Sequence, residues 1–458
     1  MWSSVRTNTL NLLVVAVLGC LAGQALLVAL PVVAENPVFT LLLPLVGVFA
    51  FMMAINAEAT LMVLLLLRCP VDAVLLNTTI GFLGAGFTLG APINLILILL
   101  VGILIARRPA MVTTSAMSKP WLVFLGVCAL ACAFAPSPIQ AIKFLLNLLT
   151  YFLLCLVPFL VCQSEADWKR WVVVLLASSV GPALMAGIDL TTGPAYYGDA
   201  GLRIRGSFYH PNVLAFYLVL MIGVTFYVLK SGFWQLSRFW KNTLGMYLIG
   251  LIFLLLMTKT RSAWLSCLVL FGTFGLLREK RYLVLAVLAP MLLLLHPDMR
   301  GRILEIVQGT STTAGGYVNS FSWRTELWKE TFGEIIKRPI FGYGLASFMD
   351  LSRNFSSERS SVGAHNIFVQ LWFETGIIGL LAYLAIHGKM LFIFLKNRMG
   401  DRQWSVSCAV GIGLILGYLL AGYSDNLQNY LSFNWYWWLF LGLLIRGLEF
   451  QRPIAQDT

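Results

Sequence analysis

"PNVLAFYLVLMIGVTFYVLK" (residues 211–230) holds a single charged side chain, the lysine at its end, and its apolar residues run on without alternating. Continuous apolarity over about 20 residues is the length that carries an α-helix across a bilayer, whereas a half-buried strand would alternate. Similar runs recur near residues 9–30, 38–67, 72–90, 92–106, 120–135, 139–162, 171–189, 241–258, 262–278, 282–296, 365–395, 404–423 and 433–447. Strands are not indicated, and the expected fold is all-α: a polytopic transmembrane helix bundle of about 12–14 spans. Composition agrees, because 59% of the 458 residues are hydrophobic and 11% charged, with a mean hydropathy of +0.83, more apolar surface than one globular core buries. The run at 9–30 lacks a small-residue cleavage site and is expected to remain as a helix. One long polar segment divides the chain into helices with short loops over 1–296, a loop over 297–364, and helices again over 365–458.

The net charge of +12 would suit a nucleic-acid partner only if the basic residues formed a solvated face. They do not. Arg107, Arg108 and Lys119, then Lys169 and Arg170, Lys230, Arg238 and Lys241, Arg278, Lys280 and Arg281, and Lys396, Arg398 and Arg402 fall in alternate short loops. That is the pattern of cytoplasmic loops under the positive-inside rule, and it places both termini in the cytoplasm. The eight cysteines mostly lie inside apolar runs and form no C-x-x-C pair, so they are expected to be buried free thiols rather than disulfides or metal ligands.

Parity then puts 190–210, 258–261, 297–364 and 424–432 on the opposite face, where arginine needs a reason other than topology. Arg203, Arg205 and His210 lie in the first of these segments, Lys259 and Arg261 in the second, Arg324 in the third with His365 at its exit, and Asp425 in the fourth. "RIRGSFYHPN" (203–212), "LMTKTRSAWLS" (256–266) and "VGAHNIFVQLWFETGIIG" (362–379) each put polar residues at the outer end of a helix. Pro211 suits a first helical turn, where backbone N–H groups and the helix dipole favour an anion. Guanidinium forks donate paired hydrogen bonds to phosphate oxygens and keep their charge, so two or three arginines at a helix start suit a diphosphate. His365 is a residue that can take a proton from a hydroxyl near neutral pH. Within the long loop, "WRTELWKETFGEIIKR" (323–338) reads as an amphipathic helix stopped by Pro339, and "QGTSTTAGGYVNS" (308–320) as a mobile polar stretch. No oxygen-rich metal site is evident, and neither metal nor cofactor is expected.

In their order and spacing these stretches resemble the bacterial O-antigen ligase and O-antigen (exopolysaccharide) polymerase superfamily of polytopic membrane glycosyltransferases. The resemblance rests on R-x-x-G-x-F-x-x-P-N (Arg203, Gly206, Phe208, Pro211, Asn212) and T-x-x-R-S-A (Thr258, Arg261, Ser262, Ala263). It continues with R-x-x-x-W, P-x-x-G-x-G and H-N (Arg324, Trp328, Pro339, Gly342, Gly344, His365, Asn366), and it covers mainly residues 140 to 390. It implies a metal-independent inverting enzyme in the bacterial inner membrane that takes glycan from undecaprenyl diphosphate at the periplasmic face. The acceptor is a saccharide, either a lipid-linked repeat unit or lipid A core. Carried over, Arg203 and Arg261 hold the diphosphate and His365 is the catalytic base. Arg205 is an additional diphosphate candidate, and Arg324, His210, Asn212, Asn366 and Lys143 are secondary ones. Polymerisation is placed ahead of ligation, and the competing class is a transporter or flippase of lipid-linked oligosaccharide.

Each residue also has a plainer reading. Arg203, Arg205, Arg261 and Lys143 could snorkel toward headgroups, His365 could cap a helix, and Arg324 could belong only to an interfacial helix. Glu374 is excluded as a partner of His365, because nine positions at about 100° each put the two on opposite faces of one helix. "FNWYWWLF" (433–440) reads as an aromatic belt at the outer membrane surface.

Overall fold

The computed structural model describes residues 52–450 apart from 54, 83–84, 194–195, 199–200, 294–299, 301–311, 314–315, 318–321 and 357–361. The run at 9–30, both termini and most of 308–320 lie outside these described residues. Within them the chain is a helical membrane bundle, and seven helices are long and apolar enough to cross a bilayer. They are Gly90–Arg107, Pro138–Val161, Glu165–Thr192, Pro211–Ser231, Arg238–Met257, Ile367–Asn397 and Arg402–Gly422. Shorter apolar helices run Ser118–Cys132 and Arg261–Leu277, and Leu431–Glu449 completes the interior.

Local sequence explains the helix ends. Ser164 and Asp167 form a reciprocal capping box at the start of Glu165–Ala177. Pro211 opens the next long helix behind His210, whose Nδ1 accepts from the Asn212 amide, and Gly232 closes it in the left-handed conformation.

Hydrogen bonds between loops show that the bundle has two chemically distinct ends. At one, Arg108 Nη1 donates to the Leu160 carbonyl (2.7 Å), Arg446 Nη2 to the Cys162 carbonyl (3.0 Å), and Lys230 pairs with Glu279 (2.9 Å). At the other, Asn212 bonds Asp425 (2.9 Å), Arg324 donates to the Ser424 carbonyl (2.7 Å), and Ser137 bonds Asp350 (2.7 Å). The basic loops and the candidate site are thus at opposite ends.

The structure corrects three expectations. The aromatic stretch 433–440 is not a surface belt: every residue from Phe433 to Phe440 is buried, on a helix that packs most heavily against Pro138–Val161. Gly442 allows that approach, since a Cβ there would lie 2.4 Å from the Cys155 carbonyl oxygen. Two of the polar ends find partners inside the bundle, Trp435 Nε1 donating to Thr150 and the Tyr436 hydroxyl to the Leu65 carbonyl, while Trp437 Nε1 and Trp438 Nε1 are buried without one among the described residues. Residues 72–90 are not a span either, but a short helix Asp72–Asn77 followed by the hairpin Thr79–Phe82 and Ala85–Thr88. The glycines and β-branched threonines of "NTTIGFLGAGFT" (77–88) disfavour helix and favour an extended pair. Further two-stranded hairpins occur at 196–203 and 312–317, so strands are present among the described residues, though only as short ornaments.

A wholly buried ion pair, Arg68–Asp72 (2.6 Å), closes the turn before that hairpin, with the guanidinium 5.5 Å from the Trp435 ring centroid. The next residue, Ala73, donates its amide to the Ser207 carbonyl (2.9 Å), which ties this turn to the candidate site.

Candidate active site

Four loops and three helix starts meet at the end of the bundle away from the basic loops. Residues 201–203 pair with 196–198 in a hairpin, and the chain then turns sharply at Gly206 before entering Pro211–Ser231. The turn needs glycine: Gly206 has φ +55°, and an added Cβ would sit 3.1 Å from the Pro182 carbonyl oxygen. Asp189, at the outer end of Val180–Thr192, accepts from the amides of Arg205 (2.9 Å) and Gly206 (2.8 Å). A carboxylate on a rigid helix therefore fixes the loop that carries both arginines.

Arg203 lies across the meeting point. Its Nε donates to the Thr258 carbonyl (2.7 Å), and its Nη2 donates to Asn212 Oδ1 (2.7 Å) and Thr260 Oγ1 (2.6 Å). One guanidinium thus joins the hairpin, the start of Pro211–Ser231 and the turn that leads into Arg261–Leu277. Arg261 is the first residue of that last helix, directly after Thr260, and is half-buried. Arg205 is also half-buried, and among the described residues no side-chain partner holds its guanidinium.

From Asn212 the contacts continue to the other side of the site. Asn212 Nδ2 donates to Asp425 Oδ2 (2.9 Å), and Asp425 Oδ1 lies 3.9 Å from His365 Nδ1. Asp425 is buried and well supplied with donors, since the Tyr430 hydroxyl (2.9 Å) and the Asn426 amide (2.9 Å) also reach it. Burial alone would raise its pKa, but His365, Arg324 and the Tyr430 hydroxyl outweigh burial and hold the carboxyl below the usual aspartate range. It is a fixed negative charge beside one nitrogen of His365.

His365 is itself held under strain. Its φ of +47° is uncommon for a residue with a Cβ and costs on the order of 1–2 kcal/mol. Its neighbours enforce the conformation. Asn366 caps Ile367–Asn397 by accepting from the Phe368 (3.0 Å) and Val369 (3.1 Å) amides, and Trp328 Nε1 donates to the Ala364 carbonyl (2.7 Å). The Trp323 ring stands edge-on to the imidazole with centroids 5.4 Å apart. Trp323 and Trp328 come from the helix Ser322–Ile335, which packs its apolar side over Ala364, Val369 and Phe373. That amphipathic helix therefore covers the turn bearing the histidine.

The remaining sequence candidates separate clearly. Arg324 belongs beside the site: its Nη1 holds the Ser424 carbonyl next to Asp425, and its guanidinium stacks on Trp323. His210 is committed to its N-cap. Burial, and then repulsion from Arg203, push its pKa down to about 4, which keeps Nδ1 an acceptor at neutral pH. Asn366 spends its oxygen on the cap of Ile367–Asn397. Lys143 is on Pro138–Val161, one turn before Asn147, which accepts from Asn94 (2.9 Å), whereas the contacts from Arg203 to His365 run through other residues. Glu374 faces inward, as its distance from His365 required, and accepts from the Ala346 amide (2.9 Å) and Gln370 (2.9 Å).

Sequence reasoning placed Asp425 at this face without a role and passed over Asp189 and Tyr430. A lone carboxylate at the end of an apolar run, as at Asp189, was the available signal.

Residues 246–384 match a family profile described as O-antigen ligase. Comparison with curated proteins gives no match. The matched segment includes Arg261, Arg324 and His365, while Arg203 and Asp425 come to the same place from outside it. The chain is thus a multi-pass helical membrane protein, and its residues 246–384, less than half of its length, are similar to the O-antigen ligase family.

Proposed function

We propose that the protein transfers a glycan from undecaprenyl diphosphate to a sugar hydroxyl, at the periplasmic face of the bacterial inner membrane, in O-antigen or exopolysaccharide assembly. The observation that carries this reading is the unbroken line of contacts from Arg203 through Asn212 and Asp425 to His365. The arginine that orders the loops bearing Arg205 and Arg261 is thereby linked to the His365 imidazole within one cluster. The opposite end bears the basic loops, which the positive-inside rule assigns to the cytoplasm.

In the proposed reaction His365 Nε2 takes the proton of the acceptor hydroxyl as that oxygen attacks the anomeric carbon. The bond from that carbon to the diphosphate oxygen breaks, and undecaprenyl diphosphate leaves with the electron pair. Arg205 and Arg261, with Arg203 holding the loops in register, stabilise the charge that develops on the diphosphate. A single displacement of this kind inverts the anomeric configuration. Because the diphosphate is a good leaving group, no step calls for a metal or cofactor.

A polymerase is preferred to a lipid A core ligase, and deletion of the gene separates the two. Accumulation of single lipid-linked repeat units is the expected result, and accumulation of long lipid-linked chains would instead assign ligation. Loss of a transporter or flippase would also stop transfer, but with the lipid-linked units held on the cytoplasmic side of the membrane. The grouping of polar residues at one end, away from the bilayer midplane where transporters bind their cargo, favours the enzyme.

A further inference from the structure

At the basic end, between the start of Ser118–Cys132 and the last third of Ile367–Asn397, lies an open groove of about 420 Å³. Its wall is apolar, formed by Pro120, Val123, Ala382 and Ala385, and two lysines, Lys119 and Lys389, stand on it. Small side chains on the longer helix keep the groove open where a leucine would fill it. Lys119 and Lys389 are exposed, and among the described residues neither is paired with a carboxylate. Two other lysines at this end do have carboxylate partners: Lys169 pairs with Glu165 (2.6 Å) and Lys230 with Glu279 (2.9 Å). Ser118–Cys132 begins here without a side-chain cap, and its dipole adds positive potential at the rim.

We infer that this groove binds one anionic phospholipid of the adjacent leaflet, its phosphate between Lys119 and Lys389 and an acyl chain along Val123, Ala382 and Ala385. Two like charges held without counter-ions above an apolar wall match a lipid whose head is anionic and whose tail is hydrocarbon. A zwitterionic lipid satisfies the wall but leaves the lysines uncompensated. A free phosphate satisfies the lysines but leaves the wall bare. The site is remote from the Arg203–His365 cluster, at the other end of the helices, and is independent of the transfer reaction proposed above.

The test is native mass spectrometry of the full-length protein, titrated in detergent with phosphatidylglycerol or phosphatidylethanolamine. One tightly held phosphatidylglycerol is expected on the wild type. Lys119→Gln with Lys389→Gln should weaken it by about tenfold or more, since each lysine near an anionic headgroup contributes on the order of one kcal/mol. A charge-matched control, Lys241→Gln with Lys280→Gln, should leave binding unchanged. Ala385→Trp, which fills the groove and keeps both charges, should also remove the bound lipid, and glycerol phosphate should not displace it. Equal loss in the control pair would overturn the proposal by reducing the lysines to general surface charge. Equal retention of phosphatidylethanolamine, unchanged binding in Ala385→Trp, or displacement by glycerol phosphate would overturn it as well.

Discussion

Alanine in place of His365 is expected to lower glycan transfer by about 10²- to 10⁴-fold, the range that positioned general bases contribute, while the protein still inserts and folds. The expectation follows from the environment of the side chain. His365 occupies a left-handed backbone position, its Nδ1 edge faces a buried carboxylate, and Trp323 fixes its plane. Backbone strain of this kind gathers at functional sites, which motivates the substitution. The imidazole is about one-third exposed, so its removal opens no core cavity and stability should change little. Polysaccharide yield per unit of expressed protein measures the effect. Yield at the wild-type level from well-expressed His365→Ala would remove the histidine from the chemistry.

The second large effect is expected at Arg203, and the structure changes its meaning. Lysine keeps the charge but cannot reproduce three directed bonds to the Thr258 carbonyl, Thr260 and Asn212. Arg203→Lys should therefore reduce transfer by about 10²-fold or more and also lower the thermal midpoint, because bonds between three elements are lost together. Arg205→Lys is the informative comparison. Its guanidinium has no side-chain partner among the described residues, so its effect should fall on donor affinity with the thermal midpoint unchanged. A thermally neutral Arg203→Lys that loses only donor affinity would reverse these assignments.

Most of the helical architecture was legible because a bilayer demands long apolar helices, and runs such as 139–162, 211–230 and 404–423 correspond to helices within a few residues. The amphipathic pattern at 323–338 likewise appears as Ser322–Ile335. Where local pattern failed, tertiary context decided. Aromatics at 433–440 carry the composition of an interface belt, but their helix is buried by its neighbours along the whole stretch. At 72–90 mean hydropathy outweighed the turn chemistry of closely spaced glycines and threonines.

The site was legible in part for the same reason. Parity brought Arg203, Arg261 and His365 to one face, yet it could not show that Asn212 and Asp425, 213 positions apart, are the hydrogen-bonded link between them. Nor could it show that Arg203 is already bonded within the protein while Arg205 is not. Those facts depend on the packing of helices distant in sequence, and no local periodicity encodes them.

The most direct measurement is transfer by the purified protein supplied with a polyprenyl-diphosphate-linked saccharide and a saccharide acceptor, with the product linkage assigned by NMR. A glycoside of inverted anomeric configuration, formed with an equal amount of polyprenyl diphosphate, is the expected product. A product of retained configuration, or movement of intact lipid-linked saccharide across the bilayer with no glycoside formed, would contradict the proposed reaction.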